Sequence, residues 1–225
     1  VVERLDIKQK VLANVEKHRR PGTLITTNTS GIPIHAIAEG RSEDFRKHFC
    51  GTHFFNPPRY LPLLELIPGP DTDPAVLDFL EAYGSRVLGK AAVRAKDTPA
   101  FVANRIGVYC MLDAFHTAVE MGLSVEEVDR LTGPVIGHPK SATFRTADVI
   151  GLDTLAKVAS DLKAYCPNDE RNSLFALPEF LEKMLEQGML GSKTGKGFYF
   201  KDRSKPKGEI LSLNLRTLEH APQVK

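Results

Sequence analysis

The sequence predicts an α/β portion followed by an all-helical one, and three observations carry that reading. Short apolar, β-branched runs alternate with a helical period up to about residue 96; a Pro-containing hinge, Lys96-Asp97-Thr98-Pro99, follows; and beyond it the period-two signal disappears. The expected division is 1–96 for the C-terminal remainder of a nucleotide-binding sheet, 97–202 for a helical domain and 203–225 for a connector or tail. With 225 residues, 42% hydrophobic and 26% charged, the chain can bury one large or two modest cores. Thirty basic and 28 acidic residues leave a net charge of +2, and no long cationic run is interleaved with aromatics, so no nucleic-acid partner is expected. Charge or Pro breaks every apolar stretch before the roughly 18 to 20 residues a bilayer requires. The opening residues lack a signal-peptide pattern, so the expected compartment is the cytoplasm or an organelle matrix, with no membrane span. Cys50, Cys110 and Cys166 are odd in number and widely spaced, which reads as reduced thiols and not as a disulfide framework. No cluster has metal-ligand spacing.

The elements follow in order. Val1-Val2-Glu3 reads as the end of a buried strand, so the sequence reads as cut from something longer. From Arg4 a helical period sets in, with Leu5, Val11, Leu12 and Val15 on one side, closed by Pro21-Gly22. Thr23-Leu24-Ile25-Thr26-Thr27 is a strand ending in polar Asn28-Thr29-Ser30-Gly31. Strand, helix and strand with short connections make a parallel unit, and such sheets bind ligands beyond the carboxyl ends of their strands, where Glu3 and Asn28 to Ser30 fall. A short helix near Ile34 precedes strands at Phe49–Phe55 and Leu63–Ile67, joined through Pro57, Pro58 and Pro62, which puts His53 and Glu65 on neighbouring strands. Asp73-Pro74 starts a helix that runs to about Val87, and Ala91–Arg94 is a further strand. The helical portion opens on a long apolar helix from about Phe101 to Met121. Ser124 with Glu127 forms a capping box, and further helices fall near 142–149, 153–165 and 178–187.

Several residues are chemically suggestive, each with a plainer alternative. His53, in Thr52-His53-Phe54-Phe55, is either a hydrogen-bonded core residue or a catalyst. Glu65 between Leu64 and Leu66 is costly to bury without a partner, and a histidine on the adjoining strand supplies one. Such a pair fixes the imidazole tautomer and suits a general base; a purely structural pair stays open. Ser30 and Asn104, near the hinge, could complete a polar site in a cleft, or could simply cap helices. The segment from Gly191 to Tyr199 lacks Walker A spacing and reads as a Gly-rich turn leading to an aromatic plug.

Six motifs in order carry a resemblance: Thr27-Asn28-Thr29-Ser30, His53-Phe54-Phe55-Asn56-Pro57, Leu64-Glu65-Leu66-Ile67, Asp97-Thr98-Pro99 with Phe101-Val102-Ala103-Asn104-Arg105, Gly151-Leu152-Asp153-Thr154, and Lys193 to Tyr199. From Val1 to about Lys201 the chain resembles the L-3-hydroxyacyl-CoA dehydrogenase family. The resemblance implies a Rossmann-type NAD-binding domain, then a helical domain of the 6-phosphogluconate-dehydrogenase type used in homodimerisation. It implies that His53 takes the hydroxyl proton of an acyl-CoA thioester, that Glu65 holds His53, and that Ser30 and Asn104 hydrogen-bond the reacting oxygen. Glu3, Lys8, Asn28, Ser30 and Lys193 correspond to NAD-contacting positions, which gives the Gly-rich segment a ligand role through Lys193. The family's Gly-rich dinucleotide loop is expected before residue 1, and without it the chain alone would be an inactive dimerisation and substrate-positioning module. The stretch from Gly133 to Phe144, with Gly208 to Arg216, resembles larger bacterial proteins in which this dehydrogenase is fused to an enoyl-CoA hydratase. Relatives acting on other β-hydroxy acids usually place a lysine where the base is needed, so the His53/Glu65 pair argues against them.

Overall fold

The structure, a computed structural model, describes residues 1–204 and 208–223, in two compact units, Val1–Arg105 and Ile106–Lys225. The first unit is a four-stranded sheet with helices on both faces. Helix α1 (Leu5–His18) leads to β1 (Ile25–Thr27), α2 (Ile34–Ile37), α3 (Glu43–Lys47), β2 (Phe49–Phe54), β3 (Leu63–Pro68), α4 (Pro74–Arg86) and β4 (Ala91–Arg94). The strand order is β1-β2-β3-β4, with β1 and β2 parallel, β2 and β3 antiparallel, and β3 and β4 parallel.

Alternation along the central strands sends side chains to opposite faces. Phe49 and Ile67 pack with Leu12, Ile34, Ile37 and Phe45 on one face, and Cys50, Leu64 and Leu66 pack with Val76, Leu77 and Leu80 of α4 on the other. Burial in this layer pushes the Cys50 thiol up to about 12, so it is inert. Asp73 caps α4 by accepting the Ala75 N–H at 2.8 Å, ahead of Pro74 at the first helical position. Val1 and Val2, expected in a buried strand, are 82% and 61% exposed and unpaired in any ladder. Two valines ahead of Glu3 have no strand identity without a neighbour to complete their ladder. Helix α3 has a weak signature in five residues; Ser42 caps it by accepting the Phe45 N–H.

Helix α5 (Ala103–Met121) begins in the first unit and continues into the second. It starts two residues later than the sequence pattern suggests, because Ala100 and Phe101 are left-handed. The second unit adds α6 (Val125–Leu131), with its capping box formed, then α7 (Phe144–Ile150), α8 (Leu152–Tyr165) and α9 (Glu179–Glu186). It ends in a three-stranded antiparallel sheet of β5 (Tyr199–Asp202), β6 (Glu209–Leu213) and β7 (His220–Pro222). The segment read as a connector or tail, 203–225, thus supplies two strands; its residues 205–207 and 224–225 lie outside the described residues. Glu209-Ile210-Leu211-Ser212-Leu213 does carry a strand pattern, but five residues following a long helical stretch weigh little until β5 is there to pair with them. Among the described residues no helix is long and apolar enough to cross a membrane.

The Gly-rich segment is folded around Asp148. This buried carboxylate accepts the N–H groups of Phe198 at 2.8 Å and Tyr199 at 2.9 Å, and the Asp148 carbonyl accepts the Ser192 N–H at 2.8 Å. Phe198 is thereby delivered into an aromatic cluster with Phe115, Phe144 and Phe180, at centroid distances of 5.3, 4.6 and 6.0 Å. The approach leaves no room for a side chain: a Cβ on Gly197 would lie 2.0 Å from Asp148 Oδ1 and 2.6 Å from the Gly191 Cα. Gly197→Ala is therefore expected to cost about 2 kcal/mol of unfolding free energy by overpacking, read from urea unfolding. An alanine variant as stable as the parent would show that this segment does not hug Asp148.

Candidate active site

The site grows from the carboxyl ends of β1 and β2, which lie at one edge of the sheet because the two strands are parallel. The antiparallel register of β2 and β3 sets His53 directly opposite Glu65. Cross-strand neighbours on one face are close enough for side chains to meet, and His53 Nδ1 lies 2.7 Å from Glu65 Oε2. Both are buried, at 5% and 1% exposure. The rings of Phe55 and Phe101 flank the imidazole at 4.4 and 5.7 Å. The second Glu65 oxygen, Oε1, accepts the backbone N–H groups of Val102 at 3.0 Å and Ala103 at 2.8 Å. Burial pushes the Glu65 carboxyl up, but hydrogen bonds from His53, Ala103 and Val102 outweigh it and hold the group below its ordinary value. Glu65 is therefore an ionised acceptor. His53 donates to it from Nδ1, and in the neutral imidazole this hydrogen bond leaves Nε2 as the acceptor.

A second polar group lies beyond the end of β1. Asn28 Oδ1 accepts the Phe54 N–H at 2.9 Å, tying the loop to the strand end beside His53. The fully buried Thr29 donates its hydroxyl to Glu3 Oε1, which also accepts the Ser30 N–H at 3.1 Å. Glu3 Oε2 pairs with the buried Lys8 ammonium at 2.9 Å. Partial burial raises the Glu3 carboxyl, and the hydrogen bonds from Thr29, Lys8 and Ser30 more than offset this and leave it lowered. Asn104 Nδ2 donates to the Ser30 carbonyl at 3.3 Å, joining the start of α5 to this loop.

Of the residues singled out in the sequence, His53, Glu65, Ser30, Asn104, Glu3, Lys8 and Asn28 thus form two linked polar groups within the first unit. Lys193 belongs to the second unit, where its ammonium pairs with Asp153 and holds that carboxyl below its usual range. Three participants escaped the sequence reading. Thr29 looked like one more polar loop residue, and the Val102 and Ala103 N–H groups have no side-chain signature.

Comparison with known proteins accords with this geometry. Residues 1–98 match the family model of the 3-hydroxyacyl-CoA dehydrogenase NAD binding domain, and residues 101–201 that of the 3-hydroxyacyl-CoA dehydrogenase C-terminal domain. A probable 3-hydroxyacyl-CoA dehydrogenase of Bacillus subtilis is 54% identical over 202 residues, covering 90% of this chain but 26% of that protein. A 3-hydroxybutyryl-CoA dehydrogenase of Mycobacterium tuberculosis is 36% identical over 88% of this chain and 68% of its own length. The crystal structure of (S)-3-hydroxybutyryl-CoA dehydrogenase from Ralstonia eutropha superposes with a TM-score of 0.78 at 32% identity, over 88% of this chain and 67% of that one. The chain therefore spans about a quarter of the Bacillus relative and about two thirds of the other two. On the two domain matches and these likenesses, the chain belongs to the 3-hydroxyacyl-CoA dehydrogenase family.

Proposed function

We propose that this chain carries the proton-transfer machinery of an NAD-dependent oxidation of L-3-hydroxyacyl-CoA to 3-oxoacyl-CoA. The observation that carries it is the buried His53/Glu65 pair, in which three donors hold Glu65 as a carboxylate and the hydrogen bond to it engages His53 Nδ1, not Nε2. His53 Nε2 takes the proton of the substrate's 3-hydroxyl, and Glu65 balances the imidazolium that forms. Asn104 and Ser30 hydrogen-bond the reacting oxygen and fix its position. A dinucleotide's nicotinamide end needs fixed donors and acceptors at a strand's carboxyl end, and the Glu3, Lys8, Asn28 and Ser30 set fits that requirement. Bound NAD supplies the hydride acceptor. Lys193 is assigned a further contact to it.

The same reading gives the chain a homodimer through the helical domain, a fused enoyl-CoA hydratase in the parent protein, a role in fatty-acid β-oxidation and a cytoplasmic location. Its working domain limits are 1–96 and 97–202. The full-length protein is expected to oxidise NADH only when acetoacetyl-CoA is supplied; turnover independent of the thioester would remove the assignment. A second reading applies to these 225 residues taken alone, which hold no G-x-G-x-x-G turn to cradle a pyrophosphate: a substrate-positioning module without turnover. Calorimetric titration with NAD bears on the two, because micromolar binding by this chain argues against the second.

A further inference from the structure

Just ahead of the two N–H groups that hold Glu65, Ala100 and Phe101 take left-handed backbone, with φ of 58° and 52°. L-residues avoid this region because Cβ crowds the following carbonyl, and two in succession, neither of them Gly nor Asn, persist only where the surroundings over-determine them. Here they do. Upstream, Asp97 accepts the N–H groups of Ile34 at 2.8 Å and His35 at 2.9 Å and pairs with the His35 ring at 2.6 Å. The Phe101 N–H closes a turn on the Thr98 carbonyl at 3.0 Å. Ala100 and Phe101 are 6% and 2% exposed, with the Phe101 ring in the core layer and edge-on to His53. Downstream, both N–H groups converge on a single oxygen, Glu65 Oε1. Right-handed backbone at these two residues would carry the donors off the carboxylate.

We propose that the Ala100–Phe101 turn is a positioning element for the dyad: it aims the Val102 and Ala103 N–H groups at Glu65 Oε1, reserving Oε2 for His53. This rests on His53 being the base. Facing Glu65 are His53 on β2, Val93 opposite it on β4, and the Val102 and Ala103 N–H groups at the entry to α5. The donors keep the carboxylate from competing for the proton that His53 accepts, so the turn tunes proton transfer as well as holding the fold.

The test uses the full-length protein. Ala100→Val, whose branched Cβ disfavours the left-handed region, is expected to stay folded by circular dichroism, to lower kcat for 3-hydroxybutyryl-CoA oxidation about tenfold, and to leave KM in place. The acid limb of its kcat/KM profile should move to higher pH, because a carboxylate stripped of two donors holds the dyad's proton more tightly. Ala100→Gly, which takes positive φ without strain, should keep the limb where the parent has it. In the unsubstituted protein, the Val102 and Ala103 amide proton resonances should move together through the dyad's titration. An unmoved acid limb in folded A100V overturns the proposal. So do amide resonances that ignore the titration, and they decide the matter if A100V does not fold. If the amides respond while the parent oxidises no 3-hydroxyacyl-CoA, the dehydrogenase reading fails and the positioning role stands.

Discussion

His53→Gln in the full-length protein is expected to lower kcat for NADH-dependent reduction of acetoacetyl-CoA by about 10³-fold, within the range attributed to a positioned acid-base group. Glutamine retains an amide N–H that can reach Glu65, so the buried carboxylate is not left without a side-chain donor. The large destabilisation that follows from orphaning a buried charge is thereby limited. KM for the thioester should change little, because the lost interaction belongs to the transferring proton and not to the bound acyl group. Near-wild-type kcat in a folded H53Q protein would refute the assignment. A loss confined to KM would reassign His53 as a binding residue.

The pair was legible in the sequence because its two signals are local. A carboxylate inside the apolar run Leu64-Glu65-Leu66 and a histidine inside another stand out against their strands, and a short Pro-rich connection makes the strands neighbours. Register turns neighbours into partners, and sequence reasoning places strands only to within a residue or two, whereas the dyad needs His53 and Glu65 directly opposite. What holds the dyad from behind could not be read at all. The Val102 and Ala103 N–H groups are donated by backbone, and the left-handed turn that aims them is built from Ala and Phe, neither of which advertises positive φ. The glycines of 191–197 stand out in the sequence as a turn leading to an aromatic plug, but what they close on does not. Their freedom is spent on close contact with Asp148, a residue 50 positions from Phe198 in sequence whose role appears only once α7 is folded against the segment. Strand β6 illustrates the same limit, since the sequence between it and its partners β5 and β7, 203–208 and 214–219, carries no Asn-Gly or Asp-Gly hairpin dipeptide.

Asp148 leads to the second large effect, on stability rather than rate. Its carboxyl is pushed up to about 6 from the ordinary 3.8, chiefly by burial, against which the Tyr199 and Phe198 N–H groups and Arg145 act, while Asp129 raises it further. Arg145 approaches it at 3.9 Å from an exposed position, too far and too solvated to neutralise it. The Tyr199 hydroxyl donates to Asp129, which also accepts the N–H groups of Thr143, Phe144 and Arg145. Because the folded-state value is the higher one, the folded chain binds a proton between about pH 4 and 6 that the unfolded chain has released. Unfolding free energy should therefore fall as pH rises through that window, by about 3 kcal/mol in all from this group, and be flat in its contribution on either side. Asp148→Asn removes the titration. One of its amide hydrogens then faces a backbone N–H, so D148N protein should be less stable at pH 4 yet lack the parent's decline between pH 4 and 6. Urea unfolding of both proteins across pH 3.5 to 7.5 gives the difference curve, in which every titration they share cancels. A parallel pair of curves would mean that the Asp148 carboxyl titrates alike in the folded and unfolded chains, with its two N–H donors offsetting its burial.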